Sequence, residues 1–176
     1  MKWLISLSLL VLLTGASKAS DLSFFVGWNS PADLKGQAGE TFDLKGAAVY
    51  GLRYEKDFMM LLGFEHNLTF NGKLLSLEDG PHESGFHYAT NFVLNLPVAE
   101  EVVPNVALGL GFYRRSGDSF PDAGVGFLTN WGIGVKFRRL AGPAGLRVDL
   151  RRIKFRGVER ESVVSSEASA GLLFTF

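Results

Sequence analysis

The chain has 176 residues, 18 basic and 18 acidic side chains, and no cysteine. That length suits one domain. The missing cysteine excludes a disulfide scaffold, a thiolate metal centre and a lipidated N-terminal cysteine, and the balanced charge leaves no basic footprint for nucleic acid.

Residues 1–19 read as an address. Met1 and Lys2 precede an apolar run from Trp3 to Leu13, and Ser17-Lys18-Ala19 places small residues where a signal peptidase reads. The run is too short to span a bilayer, which takes roughly 20 residues. Cleavage after Ala19 is expected, leaving residues 20–176 as a single exported domain.

From there the chain alternates with period two, the mark of strands with two unlike faces. In chain order, Leu22–Trp28 puts Phe24, Val26 and Trp28 on one face, and Ala47–Glu55 sets Tyr50, Leu52 and Tyr54 against Val49, Gly51, Arg53 and Glu55. Phe58–Phe70 aligns Phe58, Met60, Leu62, Phe64, His66, Leu68 and Phe70 against Met59, Leu61, Gly63, Glu65, Asn67 and Thr69. Phe86–Leu96 sets Phe86, Tyr88, Phe92, Leu94 and Leu96 against His87, Ala89, Asn91, Val93 and Asn95. Val106–Phe112 opposes Val106, Leu108, Leu110 and Phe112 to Ala107, Gly109 and Gly111. Phe127–Phe137 opposes Phe127, Trp131, Ile133, Val135 and Phe137 to Asn130, Gly132, Gly134 and Lys136. Leu146–Arg152 separates Leu146, Val148 and Leu150 from Arg147, Asp149 and Arg151. Finally Ala168, Ala170, Leu172, Phe174 and Phe176 oppose Glu167, Ser169, Gly171 and Thr175. These are eight strands.

Glycine supplies an independent check. Gly27, Gly51, Gly63, Gly109, Gly111, Gly132, Gly134 and Gly171 all fall on the polar face. Glycine weakens an open strand, but on the inner wall of a narrow eight-stranded barrel it makes room for long side chains reaching across. The expected fold is therefore an all-β, up-and-down antiparallel transmembrane barrel with its apolar face outward. A soluble ligand-carrying barrel would reverse the faces, but Gly, Ala and Asn would make it a poor solvated exterior. Aromatic girdles are expected at Tyr54, Phe58, Phe137 and Phe176 on the periplasmic side, and at Trp28, Phe70, Phe86, Tyr88 and Phe127 on the outer side. The expected inner turns are Glu55–Asp57, Leu96–Pro104 and Arg139–Ala144. The expected outer loops are Ser30–Gly46, Asn71–Gly85, Ser116–Gly124 and Phe155–Ser165.

The signal sequence, the eight alternating segments and the closing stretch Ala168–Phe176 resemble the small Gram-negative outer-membrane barrels of the opacity-protein, OmpA-barrel and OmpX type. Tyr88–Pro97 is similar to the fourth strand of such barrels. The resemblance implies an outer-membrane location among lipid and lipopolysaccharide, and a C-terminal signal (Leu172, Phe174, Phe176) read by the barrel-assembly machinery. It also implies a monomeric structural or surface-interaction role without a cofactor. The chain carries no C-terminal peptidoglycan-binding segment, so the tethering role of the two-domain OmpA type is not expected.

The lumen is expected to hold Arg53, Glu55, Glu65, Lys136, Arg147, Asp149, Arg151 and Glu167. Mixed signs in a narrow interior point to a paired network, because unpaired buried charge is costly. A charge-selective pore is the competing reading, although open channels usually take about 16 strands. The three histidines, His66, His82 and His87, are too dispersed for a metal site. Outer-membrane lipid A deacylases carry a His-x-Ser pair on a strand; here His87-Tyr88-Ala89 has alanine in place of that serine. No catalytic residue is expected. The acidic loop residues Asp33, Glu40, Asp43, Glu78, Asp79, Asp118 and Asp122 read as solvated.

Overall fold

The computed structural model describes residues 20–32, 34–35, 41–42, 46–59, 61–76, 82–116, 124–158 and 161–176. The expected signal peptide and the acidic loop residues named above lie outside the described residues.

Ten strands follow in chain order. They are β1 (Ser20–Pro31), β2 (Leu34–Lys35), β3 (Thr41–Phe42), β4 (Ala47–Asp57), β5 (Leu62–Ser76), β6 (His82–Asn95), β7 (Val102–Ser116), β8 (Val125–Ala141), β9 (Ala144–Val158) and β10 (Glu161–Thr175). Strands β2 and β3 pair with each other. The other eight form a closed barrel in the order β1-β10-β9-β8-β7-β6-β5-β4, every neighbour antiparallel. Closure removes the unpaired edges that an open sheet would expose. The seam is β1 on β10, where Ser20 N–H donates to Phe176 O (3.2 Å) and Phe176 N–H donates back to Ser20 O (2.9 Å).

Paired residues followed once around the wall fix the tilt. Ser20 leads to Lys56, Phe64, Phe92, Leu108, Trp131, Arg152 and Ser166, and the row returns to β1 at Ser30, ten residues above its start. Such a stagger requires strands inclined by about 40° to the axis.

The two faces separate as the alternation requires. Phe24, Val26, Trp28, Tyr50, Leu108, Leu110, Trp131, Ile133, Leu150 and Leu172 are exposed on the outside. Arg53, Glu55, Glu65, Lys136, Arg147 and Asp149 are buried inside. A continuous apolar outer belt is far larger than a soluble monomer shows. Among the described residues no helix is long and apolar enough to cross a membrane, which leaves crossing by strands open.

Several boundaries differ from the sequence reading: the expected loop Asn71–Gly85 is strand over residues 71–76 and 82–85, and the expected turn Arg139–Ala144 narrows to Gly142-Pro143. The first inner connection follows Asp57 instead of spanning Glu55–Asp57, with Phe58 and Met59 N–H donating to Leu62 O (3.0 and 3.1 Å); Met60 lies outside the described residues. Met59 and Leu61 are exposed there and do not face inward. The second turn is shorter than expected because β7 begins at Val102 and runs through Pro104. Pro104 O accepts from Leu96 N–H (2.8 Å), and β6 ends one residue earlier, so the donor that proline lacks falls at the last rung. At the opposite end β9 runs to Val158 and β10 starts at Glu161, so most of the expected loop Phe155–Ser165 is strand.

Candidate functional site

The interior is built in two layers. The layer nearer the Ser20–Phe176 pair is ionic. Arg147, on β9, donates to Asp149 beside it on the same strand (Nε–Oδ2, 2.8 Å), to Glu65 of β5 (2.6 Å) and to Glu55 of β4 (3.3 Å). Arg151, two inward positions beyond Arg147 on β9, pairs with Glu65 (2.8 Å) and Asp149 (3.3 Å). Arg53 of β4 reaches Asp149 (2.7 Å) and Glu167 of β10 (2.8 Å) across the lumen, and donates to Ser169 Oγ (3.0 Å). Lys136 of β8 joins Glu55 (2.6 Å) to Asp21 (3.2 Å). All eight charged residues read from the sequence therefore sit in one connected, buried network.

Sequence reading missed Asp21, Asp57 and Arg138 as members, and gave Asn91, Asn95 and Thr175 inward positions without naming their partners. Asp21 binds Arg138 (2.5 Å) and accepts from Thr175 Oγ1 (2.8 Å), and Arg138 also holds Asp57 (3.0 Å). Asn91 donates to Glu65 (2.6 Å), and Asn95 donates to Glu55 (2.8 Å) and Asp57 (2.9 Å). The signal for them was present in the alternation. Asp21, Asp57 and Arg138 continue the inward phase just past Leu22–Trp28, Ala47–Glu55 and Phe127–Phe137.

Phe25 roofs this layer. Its ring lies over Gly51, where a Cβ would collide with it, and the Arg53 guanidinium sits 3.8 Å from its centroid. A glycine on the wall thus seats an aromatic ring that in turn seats a buried cation.

The second layer, toward the long loops, holds an apolar cluster among buried polar side chains that include His87, Asn130 and Ser165. Ala89, Tyr113, Leu128, Ile153, Phe155 and Val163 form one buried cluster. Tyr113 stands edge-on to Phe155 (5.2 Å between centroids), rests on Gly126, and donates its hydroxyl to Arg156 O (3.0 Å). His87 also meets Phe155 edge-on (5.8 Å), with both ring nitrogens buried and unbonded.

On the outside, a hydrogen-bonded polar group interrupts the belt. His66 Nδ1 lies 2.7 Å from Tyr88 Oη, and Thr90 Oγ1 lies 3.2 Å from that hydroxyl. The three side chains satisfy one another. Tyr88 is half-buried, as are Tyr54, Phe86 and Phe137, while Trp28, Phe58, Phe70 and Phe127 are exposed. Phe174 stacks edge-on with Phe24 across the seam (6.3 Å), and Leu172 and Phe176 are exposed beside it. Among the described residues no three His, Asp or Glu side chains are grouped to hold a metal.

No protein-family model matches the chain, and no curated protein matches it in sequence. The architecture does match. Neisserial surface protein A (NspA) superposes with a TM-score of 0.69 at 14% identity, over 91% of this chain and 100% of that one. The fold is that of the small outer-membrane barrels. OprG of Pseudomonas aeruginosa has the same outer-membrane barrel fold, with a TM-score of 0.62 at 11% identity over 92% of this chain and 97% of that one. So does the outer membrane enzyme PagL, with a TM-score of 0.51 at 18% identity over 89% and 98%. The shared outer-membrane barrel fold thus spans surface proteins and an enzyme, and the residues in and on the wall must distinguish roles.

Proposed function

We propose that this protein is exported by a signal peptide cleaved after Ala19 and sits as a monomer in the outer membrane. Its barrel is a non-conducting, non-catalytic scaffold that presents four loops for surface interaction. The filled lumen carries this reading. Arg53, Lys136, Arg147 and Glu65 are no more than 1% exposed although they point into the barrel, and the apolar cluster around Phe155 closes the other end. Paired charge at one end and packed side chains at the other narrow any path for water and ions. Lipid and lipopolysaccharide contact the apolar belt between the aromatic girdles, and the assembly machinery reads Leu172, Phe174 and Phe176.

An enzymatic role has less support. His87 faces the lumen and is buried, Ala89 stands where a nucleophile would be needed, and neither reaches the lipid face.

Cell fractionation with heat-modifiability on gels, followed by planar-bilayer recording, tests the proposal. The expected outcome is an outer-membrane protein whose unboiled band runs faster than its boiled band, with no steady conductance. Stepwise conductance would replace the scaffold with a narrow channel. A soluble periplasmic protein would reverse the faces and favour an apolar-ligand carrier.

A further inference from the structure

Above the apolar belt, the outer face of β9 changes character. Leu146, Val148 and Leu150 point outward along its lower part, and Arg152, Lys154 and Arg156 continue the same outward phase toward the loops, all three exposed. None faces an acid across the ladder. Arg152 lies between Trp131 and Ser166, Lys154 between Thr129 and Val164, and Arg156 between Phe127 and Ser162. The paired row through Arg152 ends at Ser30, near the loop end of β1, which places the three cations at the loop end of the belt.

An apolar groove of about 470 Å³ opens beside this ladder. Trp28 and Trp131 stand at its sides, Leu150 lines it below, and Ser166 and Ala168 leave its floor low. Cations at the rim of an apolar surface extend their heads toward the headgroup zone while their stems cover hydrocarbon. Three such cations, none paired to an acid among the described residues and adjoining an apolar groove, complement a ligand that carries phosphates and acyl chains together.

We propose that Arg152, Lys154 and Arg156 bind the phosphates of a bisphosphorylated, multi-acyl glycolipid of the lipid A type, one acyl chain lying in the groove between Trp28 and Trp131. This rests on the outer-membrane reading above. Four residues separate Arg152 from Arg156, about 14 Å at strand spacing. That span suits two phosphates at opposite ends of a disaccharide better than one phosphodiester.

The test uses the refolded barrel in detergent, titrated with bisphosphorylated lipid A, its dephosphorylated form and phosphatidylglycerol, read by Trp fluorescence and native mass spectrometry. Wild-type protein should prefer bisphosphorylated lipid A by about tenfold or more over either alternative. The triple variant Arg152→Gln/Lys154→Gln/Arg156→Gln should lose that preference while keeping its heat-shifted band, and Arg139→Gln at the other end should retain it. Equal wild-type binding of the dephosphorylated form overturns the proposal. So does phosphatidylglycerol binding as tightly, or a folded triple variant that binds unchanged. If the triple variant fails to fold, the wild-type comparison of phosphorylated and dephosphorylated lipid still decides. A wild-type chain without a heat-shifted band would instead defeat the barrel reading itself.

Discussion

Arg147 touches three carboxylates from three strands, so it ties β9 to β4 and β5 across the lumen. A buried charge of this kind stabilises only while every partner is present, because each has lost its water. Arg147→Met should therefore cost about 3–5 kcal/mol, read by urea unfolding of the refolded barrel in micelles. A loss below about 1 kcal/mol, the level of exposed pairs, would mean that water screens the network. The members of the network could be read from the sequence wherever an inward charge recurred every second residue, as at Arg147, Asp149 and Arg151. Asp21 and Arg138 were missed because each lies at a strand margin, where the pattern no longer signals itself. Their pairing is a product of closure, which brings β1 and β8 to one rim, and no local spacing encodes it.

A strand of this barrel is a thin wall between two solvents, and each substitution is judged by the side it faces. Leu110 lies mid-way along β7 and is 58% exposed to the outside, whereas Leu62 opens β5 beside a turn. Leu110→Arg should cost about 2–4 kcal/mol and Leu62→Arg about 0–1, the difference between midplane and interface. The fraction of heat-shifted protein after refolding into lipid measures both. Equal behaviour would place the belt elsewhere. The faces of each strand were legible because the alternation holds for its whole membrane-facing length. Strand ends were not. The connection after Asp57 holds no glycine or proline, so Phe58, Met59 and Leu61 extended a false strand, while Pro104 occupies a terminal rung of β7 although it bounded the expected turn. The cations Arg152, Lys154 and Arg156 escaped notice for a related reason. Past Leu150 the outward phase of β9 turns from apolar to basic, so hydrophobic alternation no longer marks it.

Closure distributes stability over the whole molecule. Each barrel strand has two neighbours and each rung is shared, so no hairpin is independent of the rest. Ser20 and Phe176 exchange backbone hydrogen bonds as if they were adjacent turn residues, and the seam between them is paired like any other. A barrel of this kind does not register where its polypeptide starts. Linking Phe176 to Ser20 through a short glycine-containing turn, and opening the chain between β7 and β8, would give a circular permutant with the same wall, the same lumen and a new pair of termini. It should refold with an unchanged heat-shifted band. Failure to do so would show that the order in which strands are delivered, as well as the wall they form, is part of what the sequence specifies.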